Sequence, residues 1–316
     1  MEEILEMKLS NVGIIFVLVF LCIVVGMDAK EQTLVGITNQ KIKLDQQLDN
    51  AVDDAMSVLI EMNSKNKIII NHEKSVRLFY KSLESNLGIL DNKLKRDILR
   101  VYIPFVLITT TDGFYINYNR IEDGVFINTW TEKIPYVSKE NGIVYKFFAG
   151  EEKENICVLE NNKIYRGKWN ELGISYPERI TKDFEQYRRN AIIKCITDKM
   201  QYYINQNNYI AKEFGISYSF YLPNIKSDDW NRTIDDISFF TIFQGYPYGN
   251  MTYNRYTVSG ARTHKEDMLY VQYDKSMGKK LYHRYECEKL KDFSNGYFTK
   301  KQCAKEGAFS CPYCKP

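Results

Sequence analysis

The stretch VYIPFVLITTTDGFYINYNRI, residues 101–121, decides the fold class of this chain. β-Branched and aromatic side chains dominate it, and such side chains favour extended strands. The dipeptide Asp112-Gly113 divides the stretch, and Asp-Gly between two such runs is a strong hairpin signal. The stretch therefore predicts two antiparallel strands joined by a tight turn.

Helical patterns precede and follow this hairpin. Apolar residues recur every three or four positions, the spacing of an amphipathic helix, over 37–62, 76–87 and 180–203. A shorter helix is expected at 92–100, and further strands at 125–130, 144–148, 156–159, 216–223 and 268–274. This order predicts an α+β fold, a mixed sheet with helices packed on one face.

An uncharged apolar run, VGIIFVLVFLCIVVGM, occupies residues 12–27. With residues 9–11 it reaches the length of a bilayer crossing, which takes roughly 20 helical residues. A cleaved signal peptide and a buried core helix are the alternatives. The acidic start MEEILEMKLSN and the weak cleavage site after Gly26 favour an uncleaved single-pass anchor, with residues 9–27 in membrane lipid.

The basic residues around this run bear on its orientation. Lys8 precedes the run, whereas Lys30, Lys41 and Lys43 follow it. The positive-inside rule therefore leans slightly toward a cytoplasmic main domain. The bias is too small to fix the topology, and we keep a large extracytoplasmic domain as the working expectation.

The helix pattern continues past the anchor as two apolar series of seven-residue spacing: Leu34, Leu48, Ala55 and Met62, and Ile37, Leu44, Ala51 and Val58. Lys41 interrupts the first series. We therefore expect one long helix whose apolar stripe packs on the protein's own domain rather than in a coiled coil.

The C-terminal tail carries the clearest chemical signal. His283 and Cys287 are four residues apart, and Cys311 and Cys314 are three residues apart. Thiolates and imidazole suit tetrahedral Zn²⁺, and two short-spaced pairs can hold one ion between two turns. The sequence predicts a structural zinc site at these residues, with Cys303 as a fifth candidate. The alternative is that Cys287–Cys303 and Cys311–Cys314 form disulfides, or that all remain thiols.

Several function classes lack support in the sequence. Net charge is +3 with Lys and Arg scattered, so we expect no nucleic-acid groove. His72 and His264 lie near no nucleophile motif and are interpreted as surface residues. The acidic group Asp228, Asp229, Asp235 and Asp236 matches no Ca²⁺ loop and is interpreted partly as helix capping. We expect no enzyme and identify no small-molecule substrate.

Two resemblances add to this interpretation. The stretches LFYKSLESNLGI, YIPFVLITTTDGFYINY, FFTIFQGYPYG and YHRYEC resemble a family of bacterial single-pass proteins of pilus-like or tight-adherence-type secretion loci. The tail YHRYECEKL…YFTKKQCAKEGAFSCPYCKP resembles the Ada-type small zinc-binding module. The first resemblance implies an assembly component with protein partners, and the second implies a structural clip at His283, Cys287, Cys311 and Cys314.

The expected organisation is an N-terminal tail and anchor over 1–30, an α+β domain over 31–276 and a Cys/His metal-binding tail over 277–316. Two functions follow as hypotheses. The first is a membrane-anchored structural component of a bacterial surface or pilus-like secretion apparatus. The second is a membrane-anchored extracytoplasmic sensor, suggested by a helix that leads from the span toward the sheet containing residues 101–121.

Overall fold

The computed structural model describes residues 2–62, 68–261, 269–292, 294–297 and 300–316. Within the first helix, the side chains of residues 2–19 and of several positions up to residue 33 lie outside this description. The predicted loop residue His264 lies outside the described residues as well.

The chain begins with a long helix and a helical hairpin. The elements are α1 (Glu2–Leu59), β1 (Ile60–Met62), β2 (Ile68–Ile70), α2 (His72–Asn86) and α3 (Lys93–Val101). The long helix predicted to reach residue 62 ends at Leu59, because residues 60–62 pair with β2 in an antiparallel ribbon. The short helix α3 lies within a residue of its expected place, and the Asn92 side chain caps it by accepting from the Lys95 amide.

The middle of the chain forms the sheets and the remaining large helices. In chain order these are β3 (Phe105–Thr110), β4 (Gly113–Glu122), β5 (Val125–Trp130), β6 (Tyr136–Glu140), β7 (Ile143–Phe147), β8 (Asn155–Glu160), β9 (Lys163–Lys168), α4 (Glu178–Lys182), α5 (Phe184–Glu213), α6 (Ser227–Asp235), β10 (Ile237–Tyr248) and β11 (Met251–Ala261). The predicted α+β class is confirmed, and so is the hairpin at Asp112-Gly113.

The C-terminal elements are short: β12 (Leu269–Asp274), β13 (Lys279–Arg284), β14 (Gly296–Tyr297), α7 (Lys300–Lys305) and β15 (Phe309–Ser310). They form one small sheet of order β14-β12-β13-β15. This sheet begins at β12, ahead of the boundary expected at residue 277.

A five-stranded sheet of order β11-β10-β3-β4-β5 is the centre of the molecule, and β3 is buried on both faces. Val106 and Ile108 contribute to a first core with α1 and α2, whereas Phe105 and Leu107 contribute to a second core with α5 and the sheet β6-β7-β8-β9. Alternate residues of a strand face opposite sides of its sheet. The expectation of helices on one face only was wrong, because β3 is buried throughout and has two faces to cover.

The second half of α1 packs on the domain, as the sequence predicts. Leu44, Leu48, Ala51 and Ala55 are buried in the first core, although Leu34 of the same stripe is exposed. Within the described residues, no helix combines the length and the apolar character needed to cross a membrane. The anchor expected over residues 9–27 falls largely on positions whose side chains lie outside the description, and it stays a prediction.

Residues 216–223 form no strand, contrary to the sequence prediction. The segment places Phe220 in the second core, and this burial explains the apolar and aromatic residues in its sequence. Its backbone is satisfied by side chains instead of a neighbouring strand: Asn208 bonds both the amide and the carbonyl of Phe220. Strands β10 and β11 complete the five-stranded sheet instead, and the sequence pattern did not predict either of them.

Candidate metal centre

The tail sheet places the two predicted ligand pairs on one face. Tyr270 of β12 lies opposite His283 of β13, and it shares a small apolar cluster with Cys287 and Cys311. Cys287 follows β13 in a turn, whereas Cys311 follows β15, which pairs in parallel with β13. The register therefore brings residues about thirty positions apart in sequence to the same end of the sheet.

The four side chains form a compact group that can hold a metal ion. One ligand atom from each of His283, Cys287, Cys311 and Cys314 lies within 4.8 Å of all the others. The Nδ1 atom of His283 is 3.3 Å from the Sγ atom of Cys287. Ideal tetrahedral zinc geometry implies about 3.5 Å between nitrogen and sulfur ligands and about 3.8 Å between two sulfurs.

The backbone around the second pair shapes the group. The Cys311 amide donates to the Tyr282 carbonyl at 3.1 Å, which fixes the start of the terminal turn on β13. The Lys315 amide then donates to the Cys311 carbonyl at 3.0 Å and closes that turn. The Arg284 amide points at the Sγ atom of Cys314 over 3.5 Å, an arrangement that favours a thiolate.

Burial sets the protonation of the group. Burial lowers the pKa of His283, which favours the neutral imidazole that binds metals, and Asp274 opposes this shift only in part. Burial, with a smaller contribution from the adjacent Cys287 and Cys311 thiols, raises the pKa of Cys314 to about 11, although the Arg284 amide opposes the shift. Sulfur atoms packed this closely cannot all ionise unless a cation compensates their charge.

One ring atom of His283 is an anomaly. Its Nε2 atom is buried and has no hydrogen-bond partner in the part of the chain that the structure describes. A histidine whose Nδ1 faces a metal normally donates its other N–H to an oxygen acceptor or to water. Nδ1 is the nitrogen that lies 3.3 Å from the Cys287 Sγ atom and could bind the ion, whereas Nε2 lacks the acceptor that usually orients such a ring.

Cys303, the fifth candidate, lies on the other face of the tail sheet. It is fully buried on α7, where it packs against Val271 and Ala308. Val271 directly follows Tyr270 on β12, so the two side chains face opposite sides. The described cysteines of the tail are all free thiols, and a Cys287–Cys303 disulfide would have to join the two faces.

The other residues singled out in the sequence have structural surroundings. His72 is not the surface residue expected: it is half-buried, stacked on Tyr115 with centroids 4.3 Å apart and edge-on to Trp130. Asp228 and Asp229 lie in the first turn of α6 and do not cap it, since Lys226 holds that position. Asp229 accepts a hydrogen bond from the Tyr256 hydroxyl.

The remaining acids of that group are separated. Asp235 pairs with Arg189, and the Asp236 side chain accepts from the Ile237 amide.

The stretch FQGYPYG, residues 243–249, covers the end of β10, and the register of β10 with β11 shifts between Gln244 and Tyr246. Gly245 is required there, because its φ is +76° and an added Cβ would lie 2.5 Å from the Tyr218 ring.

Comparison with known protein families, with curated proteins and with solved structures finds no match for this chain. Function therefore has to be argued from the chain's own residues.

Proposed function

We propose that the tail is folded around one structural Zn²⁺ held by His283, Cys287, Cys311 and Cys314. The observation that carries this proposal is the group of four ligand atoms within 4.8 Å of one another. Three sulfurs and one imidazole nitrogen are a donor set for zinc, and they are unsuited to the oxygen-seeking Mg²⁺ and Ca²⁺. Four protein ligands leave no position for a reacting water, which supports a structural and non-catalytic ion.

Metal analysis of the purified full-length chain tests this proposal. Wild type should contain one zinc per chain, and Cys287→Ser should lose most of it because three ligands hold the ion weakly. Cys157→Ser is the matched control, since Cys157 lies on β8 outside the tail, and it should keep full zinc content. Metal-free wild type with disulfide-bonded tail cysteines would end the zinc proposal.

For the whole chain we propose a membrane-anchored, non-catalytic assembly component of a bacterial surface or pilus-like apparatus. The support is the apolar run at residues 12–27, the resemblance of the sequence stretches and a closed metal site. Between the proposed anchor, which ends at residue 27, and Leu44, the first residue of α1 buried in the first core, the helix extends roughly 24 Å at 1.5 Å per residue and exposes Leu34 and Val35 to partners.

Membrane fractionation and intact mass test the anchor. The full-length chain should sediment with membranes and retain Met1, whereas Phe16→Arg combined with Val19→Arg should release it. Each charge at mid-membrane costs about 2.5–3.5 kcal/mol on insertion scales. Soluble wild type, or a mature chain that starts near Asp28, would contradict the anchor.

Ligand sensing is the second candidate function, and a specific packing arrangement favours it. α2 is bound along α1: the Ser75 hydroxyl donates to the Ala55 carbonyl at 3.0 Å, and Ser82 donates to Asp54 at 2.6 Å. A ligand that contacts α2 would therefore act directly on the helix that leads toward the proposed anchor.

A further inference from the structure

A cleft of about 500 Å³ opens between α2, the end of α3 and strands β4 and β5; we call it the α2 cleft. On the same face of the sheet, β3 and β10 present apolar side chains such as Val106 and Phe239 to α1 and α2. β4 and β5 instead present Asn117 and Asn128 to the cleft. A polar floor beside an apolar core is costly unless its groups find partners.

Asn117 supplies a buried acceptor at this floor. The side chain is 2% exposed, and its Nδ2 atom donates to the Thr129 carbonyl at 3.1 Å. A carbonyl oxygen can only accept, so the amide nitrogen must face Thr129 and the amide orientation is fixed. The buried Oδ1 atom of Asn117 is then left without a partner among the described residues, and it requires an N–H or O–H donor.

Tyr80 supplies a second buried polar group in the wall of the cleft. Tyr80 is 3% exposed, and within the described residues its hydroxyl has no hydrogen-bond partner in good geometry, although the Asn128 side chain lies near it. The Arg100 guanidinium lies 5.0 Å from the Tyr80 ring centroid. Burial raises the pKa of this hydroxyl well above its ordinary value, and the nearby Arg100 and Asn128 side chains offset the shift only partly. Arg100 is itself paired with Glu84 at 2.9 Å, so it does not provide the missing partner.

The rim of the cleft carries charges of both signs. Arg77 and Lys81 are exposed and lie one helical turn apart on α2, and Glu73 lies one turn before Arg77. Within the described part of the chain, none of these three side chains forms an ion pair or a hydrogen bond with another residue. Two adjacent cations favour a carboxylate ligand, whereas the Glu73 carboxylate and the buried Asn117 Oδ1 atom, which line the same cleft, favour a protonated amine.

We propose that the α2 cleft binds a small zwitterion carrying a carboxylate and an ammonium group, the chemical class of free amino acids. Arg77 and Lys81 hold the carboxylate, and the ammonium group donates toward the Asn117 Oδ1 atom and the Tyr80 hydroxyl. Trp130 lines the cleft and offers an apolar wall to the rest of the ligand. The volume lies in the range of small-molecule sites. This inference rests on the second candidate function, ligand sensing, and names its ligand class.

Thermal unfolding of the full-length protein with each proteinogenic L-amino acid, at about 1 mM, tests the proposal, followed by calorimetry of any that raises the midpoint. At least one should bind, and its N-acetyl amide, which lacks both charges, should not. Tyr80→Phe should weaken binding about tenfold through one lost hydrogen bond. Without ligand it should leave the unfolding midpoint unchanged or higher, because it removes a buried hydroxyl that has no partner.

Arg77→Ala should likewise weaken binding at least about tenfold, whereas Lys163→Ala, on β9 in the other sheet, is the matched control and should bind as wild type. The proposal is overturned if no amino acid binds, if the N-acetyl amide binds as tightly, or if Tyr80→Phe and Arg77→Ala bind like wild type. A lowered ligand-free midpoint in Tyr80→Phe would also overturn it, since the hydroxyl would then have a partner inside the protein.

Zinc content is measured on the same samples and should not change in these variants, so the two proposals fail separately. Hydrogen exchange of α1 with and without the bound amino acid separates the site from the sensing role. Slower exchange in α1 on binding supports both, whereas binding with unchanged α1 exchange keeps the site and ends the sensing function.

Discussion

The main domain and the C-terminal tail solve the same problem of stability in different ways. The main domain has two large cores, on opposite faces of one sheet, with many fully buried aromatic and aliphatic side chains. Among the described residues of the tail, two clusters contain four and three buried residues, and three of these seven are cysteines. Burial of apolar surface can stabilise the first region, whereas the proposed Zn²⁺ would supply much of the stability of the second.

Within the tail, the same residue type has two different uses on the two faces of one small sheet. Cys287 and Cys311 lie with His283 on one face and can bind a cation. Cys303, on the other face, fills space as an apolar residue does. Sequence spacing distinguishes these two uses only in part, whereas strand register distinguishes them fully.

The substitution with the largest expected effect should unfold the tail and leave the main domain folded. Under the zinc proposal, Cys311→Ser should release the ion and unfold the tail, because metal binding would then supply much of the tail's folding free energy. The main domain should keep its structure, since its cores contain none of the ligands. Hydrogen exchange should show lost protection in β12 and β13 and unchanged protection in β3 and β10. Equal loss in both regions would show that the tail and the domain unfold as one unit.

A substitution that creates a cavity in the main domain tests the converse, that the domain can be destabilised without an effect on the tail. Leu107 of β3 is fully buried in the second core, so Leu107→Ala should lower the free energy of unfolding by about 2–5 kcal/mol. Zinc content should stay at one per chain. Urea unfolding followed by tryptophan fluorescence measures the first quantity and metal analysis the second. Loss of zinc in this variant would contradict the independence of the two regions.

Much of the division between main domain and tail can be predicted from the sequence, because the patterns that indicate it involve residues close together in the chain. Helix spacing, the Asp112-Gly113 turn and the two ligand pairs are local patterns. The pairing of β3 with β10, in contrast, joins Val106 to Thr241, and no local pattern specifies it. The Oδ1 atom of Asn117, which has no partner among the described residues, also gives no signal, because a single Asn in a strand pattern is uninformative until its neighbours are known.

A smaller effect concerns how α1 is held on the domain. The Tyr253 hydroxyl of β11 donates to the Asp45 carboxylate at 2.7 Å, and Arg255 pairs with Asp49. Burial alone would raise the pKa of Asp45, but the hydrogen bonds from Tyr253 and Lys41 and the charge of Arg255 outweigh it and lower the pKa below 3.8. Tyr253→Phe should lower the free energy of unfolding by about 1 kcal/mol.

The pH dependence of this contact follows from the sign of the shift. Because the folded pKa of Asp45 is below its unfolded value, its contribution is complete above about pH 4–5 and is lost as the pH falls through the folded pKa. Tyr253→Phe should therefore differ from wild type in urea unfolding at pH 7 and converge with it in strong acid. A constant difference at all pH values would assign the effect to packing instead.

The smallest effect is expected at Cys303, and it decides between the metal and disulfide interpretations of the tail. Cys303→Ala removes one buried sulfur from the face opposite the ligands, so the tail should lose about 0.8 kcal/mol, the scale of one buried methylene group. Zinc content should remain one per chain, because no ligand is touched. Thiol titration of wild type in denaturant with a chelator should find all seven cysteines of the chain free. If the four tail cysteines were paired, only Cys22, Cys157 and Cys195 would titrate. Cys303→Ala would then free Cys287 and destabilise the oxidised chain. That result would replace the metal site by the disulfides Cys287–Cys303 and Cys311–Cys314.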